Sequence, residues 1–138
     1  MLPKNESIVK LSIIGDSTQK LYDGAFTIKC ILNNYESVQV ALRTDRYNEG
    51  SESVGTQTRL FNRAIAELEL RIIDSPDWWK SSDSGRLLFD QNVVFELFTS
   101  SLEAQKEWKD GLNKAAEESE SNVKNSKKNK TANVQAKV

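Results

Sequence analysis

The chain has 138 residues, 38% of them hydrophobic, with 19 basic and 20 acidic side chains, one cysteine and no histidine. That is room for one domain with a modest core, and a net charge of −1 points to neither nucleic acid nor membrane. The missing histidine removes the usual general base, the commonest metal ligand and every Ser-His or Cys-His arrangement, while a lone Cys30 excludes an intrachain disulfide and a multi-cysteine metal site.

The charge is unevenly placed. Residues 121–138 hold five lysines and no acid, which leaves −6 on the first 120. No apolar run approaches the ~18 residues of a membrane span, and the N-terminus lacks a leader-like apolar segment, so an intracellular, soluble protein is expected.

From the N-terminus, Ser7 to Ile14 alternates imperfectly, with Ile8, Leu11, Ile13 and Ile14 apolar, and runs into Gly15-Asp16. This predicts a strand and a turn. Gly24 to Leu32 predicts a second strand, with Phe26, Ile28 and Cys30 on one face, and Asp16 to Asp23 is long enough to join the two as an antiparallel hairpin. Within that run Cys30 is expected as a small buried hydrophobe rather than a nucleophile.

Asn33 to Asn48 fits two periods. Val38, Val40 and Leu42 alternate as in a strand, whereas Tyr35, Val38, Leu42 and Arg46 share a helical face. Good helix formers (Gln39, Ala41, Leu42, Arg43), with an asparagine cap and Glu36 in the first turn, favour the helix. Gly50 to Gly55 is expected to be a loop.

Thr56 to Ile73 carries Leu60, Phe61, Ala64, Ile65, Leu68 and Ile72 on one wide stripe, opposite Arg59, Asn62, Arg63, Glu67 and Arg71. This predicts an amphipathic helix with an Arg63/Glu67 pair on its wet side. Ser75-Pro76-Asp77 then opens a short helix, with Ser75 as cap, Pro76 in the first position and Asp77 at the positive end of the dipole.

A further helix is expected from the cap Asp90, with Val94, Leu97, Phe98, Ser101/Leu102, Gln105, Trp108 and Leu112 on one face and Gly111 near its end. The sum is an α+β domain over residues 1–114: a small N-terminal antiparallel sheet followed by about three helices, packed by Leu60, Phe61, Ile65, Leu68, Leu97, Phe98 and Trp108. Residues 115–138 are too polar to offset ordering entropy and read as a disordered, lysine-rich tail.

Trp78 and Trp79 form the most informative pair. Neighbours on a helix point about 100° apart, so one ring should pack and the other reach the surface, over Lys80 or Arg86. With Leu87, Leu88 and Phe89 they make up the candidate partner-binding residues. Asp74, Asp77, Asp83 and Asp90 cluster in sequence, but capping accounts for Asp77 and Asp90, and Asp83-Ser84-Gly85 is too short for a calcium loop. The glycines form no phosphate-binding motif, so neither metal nor cofactor is implied. The lysines from Lys124 to Lys130 lack arginine and aromatic residues, and read as a solvated tail rather than a nucleic-acid contact.

Residues Gly24, Phe26, Thr27, Ile28 and Lys29, the polar stretch Val38 to Tyr47, Gly50, then Leu68, Arg71, Pro76, Trp78 and Trp79, and finally Asp90, Asn92, Val93, Glu96 and Trp108 follow a spaced pattern. Over Leu21 to Trp108 the chain resembles small tailed-bacteriophage morphogenesis proteins, either tail assembly chaperones or small virion structural proteins. The Ser/Lys/Asn tail is outside that pattern. The resemblance implies a non-catalytic protein of the host cytoplasm or the virion. It would bind apolar surfaces of another phage tail protein, typically the tape-measure protein, or serve as a connector or decoration subunit. A small nucleic-acid-binding regulator ranks behind both. The oligomeric state is open.

Overall fold

A computed structural model describes residues 2–49 and 55–136, with side chains described through 119. The expected loop from Gly50 to Gly55 lies outside the described residues except for Gly55. By contacts the chain divides into a larger unit, Lys4–Gln105, and a smaller one of residues 1–3 with 106–138.

The larger unit begins with β1 (Ser7–Ile14) and β2 (Leu21–Ile28), an antiparallel hairpin in which Val9 faces Phe26 and Ile13 faces Tyr22. The period of two puts Val9, Leu11, Tyr22, Phe26 and Ile28 on the buried face, and leaves Ile8, Ile14 and Leu21 outside. Cys30, just past the strand, is buried as expected.

The ambiguous stretch is a helix, α1 (Asn34–Tyr47). Its start is decided by a capping box: Glu36 N–H donates to Asn33 Oδ1 (2.8 Å) and Asn33 N–H to Glu36 Oε1 (3.1 Å). Lys29 Nζ also donates to Glu36, and this hydrogen bond, with that of Asn33, holds the Glu36 carboxyl below its ordinary range against burial. Val40 turns inward, while Tyr35, Val38 and Leu42 lie on the exposed side.

Next, α2 (Thr56–Arg71) buries Ala64, Ile65 and Leu68, as its stripe predicts, whereas Leu60 is exposed. It ends two residues early. Ile72 takes extended backbone, and β3 (Ile72–Asp74) joins the sheet against β2 in the order β1-β2-β3. Two β-branched residues close to a proline favour extension over another helical turn.

The polar face of α2 also departs from expectation. Glu67 is buried, and Arg71 is only 2% exposed. The Arg71 guanidinium donates to Glu67 Oε1 (3.1 and 2.8 Å), to the carbonyls of Lys29 (3.1 Å) and Cys30 (2.7 Å), and to Gln105. A buried cation is tolerable with its charge paired and its donors used in this way.

The one-turn α3 (Asp77–Lys80) follows. Its cap is Pro76 rather than Ser75: Trp79 and Lys80 N–H groups both donate to the Pro76 carbonyl, and Ser75 N–H is turned back onto Asp74 Oδ1. The last helix, α4 (Gln91–Ala136), buries Val93, Val94, Leu97, Ser101 and Ala104 in the larger unit. In the smaller unit half-buried Trp108 shares a shallow groove with Leu2, Pro3 and Leu112, and residues 113–119 are all exposed. No tertiary burial supports the helical backbone at 113–119, where only local propensity acts.

Candidate functional site

The site is built on Trp79. Its ring is 4% exposed and meets Phe26 edge-to-face at 5.6 Å. Trp78, one residue earlier, is half-buried, lies edge-on to Tyr22 (5.2 Å) and Phe26 (5.7 Å), and donates from Nε1 to the Asp23 carbonyl (2.9 Å). The pair divides as helical geometry requires, with one ring in the core and the other at its edge. The cation expected over a Trp ring is elsewhere. Arg86 stacks on Tyr47 (4.5 Å) and bonds Glu69 (3.0 Å), while Lys80 pairs with Asp74 (3.3 Å).

On this foundation sits the 81–89 loop. Asp83, Ser84 and Gly85 take successive positive φ values of 50°, 57° and 89°. Two non-glycine residues in that region store of order 1–3 kcal/mol each, and such strain persists only where the surroundings over-determine it. Here they do. Ser82 Oγ donates to the Trp79 carbonyl (2.6 Å) and accepts from Gly85 N–H (2.9 Å), and Leu87 N–H donates to the Ser82 carbonyl (2.9 Å). The loop thus holds Leu87 and Phe89 out in solvent, at 66% and 80% exposure.

The other wall is the β1–β2 turn, fixed by Asp90. Asp90 is 1% exposed and accepts from Ser17 N–H (2.6 Å), Thr18 N–H (3.0 Å), Thr18 Oγ1 (2.5 Å) and Tyr22 Oη (2.8 Å). Burial disfavours its charge, but the hydrogen bonds from Thr18, Tyr22 and Ser17 outweigh burial and hold the carboxyl down at about 2. Burial and the bond to Asp90 push the Tyr22 phenol up. Asp90 was expected to cap α4 with its side chain. Its carboxylate instead closes the hairpin turn across the fold, and only its backbone carbonyl receives the Val93 N–H (3.3 Å). Asn92 adds a second tie, donating to the Ile14 carbonyl (3.0 Å) and accepting from Asp16 N–H (3.0 Å).

Between turn and loop lies a groove of about 450 Å³ lined by Lys20, Tyr22, Trp78, Leu87, Leu88 and Phe89, with Thr18, Ser81 and Ser82. Four of the five residues singled out in the sequence line it together. Trp79 does not: it lies beneath, and a buried ring has no face to offer a partner. Lys20, Tyr22 and the turn that carries them were missed, because the groove joins segments some 60 residues apart. A second groove of about 460 Å³ is lined by Asp16, Ser17, Gln57, Gln91, Asn92 and Phe95 together with the same Phe89.

The first groove is mainly apolar, with Lys20, Thr18, Ser81 and Ser82 as its polar lining, whereas the second is mainly polar. Among the described residues no three of His, Cys, Asp or Glu are grouped to hold a metal ion, and no helix is long and apolar enough to cross a membrane. No family model, no curated protein and no solved structure matches the chain.

Proposed function

We propose that the protein is a non-catalytic assembly chaperone or adaptor in phage morphogenesis, acting in the host cytoplasm, and that it binds another tail protein through the groove between Trp78, Leu87, Leu88 and Phe89. The observation that carries the binding role is the pairing of a strained, internally bonded loop with two large apolar side chains held in water. Exposed Leu or Phe is ordinary singly. Two of them flanking a concave aromatic floor form the kind of patch that marks an interaction site. The phage assignment rests on the sequence resemblance alone, and it gives the partner class.

The test is co-expression with the tail proteins of a candidate phage, followed by affinity purification. Wild type should retain one tail protein, and the folded double variant Leu87→Ser/Phe89→Ser should release it. Retention of no tail protein by wild type, or equal retention by the variant, would sink the reading. Mass spectrometry of purified particles settles the subtype. A chaperone is absent from finished virions, whereas a fixed stoichiometry there would assign a connector or decoration subunit.

A further inference from the structure

The two grooves share Phe89, which lines both and is 80% exposed. The β1–β2 turn supplies one charge to each groove: Lys20 to that of Trp78 and Leu87, and Asp16 to that of Phe95. Lys20 Nζ lies 5.4 Å from the Tyr22 ring centroid, and among the described residues neither Lys20 nor Asp16 belongs to an ion pair. The turn that sets them apart is clamped by Asp90 and Asn92, so their separation is preset.

Four successive backbone donors of the loop are not free for an added strand. The N–H groups of Gly85, Arg86, Leu87 and Leu88 are all spent within the loop. Strand addition along 85–88 is thereby closed off, which leaves side-chain docking of the kind an amphipathic helix makes in a groove. Resting on the binding role proposed above, we infer that the occupant is an amphipathic helix of a partner protein. Its apolar stripe packs on Trp78, Leu87 and Phe89, and it carries an acidic residue towards Lys20 and a basic residue towards Asp16. Rim charges of this kind select partners and orient encounter more than they add affinity.

Three labelled 16-residue helical peptides with one common Leu/Ile stripe serve as probes in fluorescence anisotropy. One carries an acidic and a basic flank, one only acidic flanks, one only basic flanks. Wild type should bind the mixed peptide about two- to fivefold more tightly than either other, the range of exposed ion pairs, with the gap closing as salt rises. Asp16→Lys should move the preference to the acidic peptide, and Lys20→Glu to the basic one. An order unchanged by both substitutions overturns the charge assignment, and wild type binding none of the peptides overturns the helical occupant. Phe89→Ala separates the two levels. If it weakens all three peptides while the charge order fails, the groove stands and only this inference falls; if it weakens none, the site falls as well. Concentration-dependent self-association abolished by Phe89→Ala would assign this surface to a second copy of the chain and overturn the partner helix.

Discussion

Gly85 lies directly on the buried indole of Trp79: a Cβ on Gly85 would fall 2.7 Å from Trp79 Cη2 and 3.0 Å from Cζ3. The same Cβ would be 2.9 Å from Val94 Cγ2, so three rigidly packed atoms oppose it. With φ at +89°, backbone and packing both demand glycine there. The contact links the Trp-Trp joint to the exposed loop, because the core ring sets where the loop can lie.

Gly85→Ala should therefore lower stability by about 1–3 kcal/mol, combining a strained backbone with overpacking against Trp79. Urea unfolding followed by tryptophan fluorescence measures it. A variant as stable as wild type would show that the loop is not seated on the ring.

Trp79→Ala and Phe89→Ala should separate folding from binding. Removing the buried indole should cost about 3–5 kcal/mol, whereas truncating the exposed ring should change stability by less than about 0.5 kcal/mol while weakening partner capture. Thermal melts alongside a binding assay test both. If Phe89→Ala is as destabilising as Trp79→Ala, the exposed ring is a packing residue and the groove reading loses its main support.

Acid should loosen the hairpin turn. The Asp90 carboxyl titrates at about 2 in the folded protein against an ordinary value of 3.8, so the folded state binds fewer protons between them. Its stabilising contribution is complete above about pH 4 and is lost as pH falls towards 2. Glu36, also held below its ordinary range, acts in the same direction. Wild type should lose stability steeply from pH 4 to 2, and Asp90→Asn should be less stable at neutral pH but flatter across that window. Parallel pH profiles for the two would contradict the clamp.

Arg71→Met should destabilise by about 3–5 kcal/mol, because it removes the buried cation of Glu67 and leaves it only the longer contact to the exposed Arg63 (3.5 Å). The double variant Arg71→Met/Glu67→Leu should recover most of the loss, since removing both charges leaves none uncompensated. Chemical denaturation of the set measures this. A double variant no better than the single would mean that the Lys29 and Cys30 carbonyls, rather than Glu67, are what Arg71 chiefly satisfies.

Much of the architecture was legible before any coordinates. The extent of β1, the helix α2 and an asparagine cap with Glu36 in the first turn of α1 follow from period and cap chemistry, all local properties. Arg71 was misplaced for the opposite reason. Helical periodicity puts it on the polar face, and only the approach of the Lys29 and Cys30 carbonyls turns that face into a buried socket. Asp90 is parallel: its sequence position reads as a helix cap, and its Ser17, Thr18 and Tyr22 partners are about 70 residues away. β3 was hidden because three residues after a strong helix carry too little pattern to register alone.

Sequence by itself determined that these 138 residues hold no histidine and a single cysteine, and it gave the expectation that two tryptophans at a helix joint divide between core and surface. Those conclusions need only residue chemistry and the 100° step of a helix. Tertiary structure decided which ring goes inside, that exposed Leu87 and Phe89 line a groove, and that Lys20 and Asp16 line two grooves sharing Phe89. Such facts depend on contacts between distant segments. Pairing of this kind is set by how whole elements pack, and no local spacing encodes it.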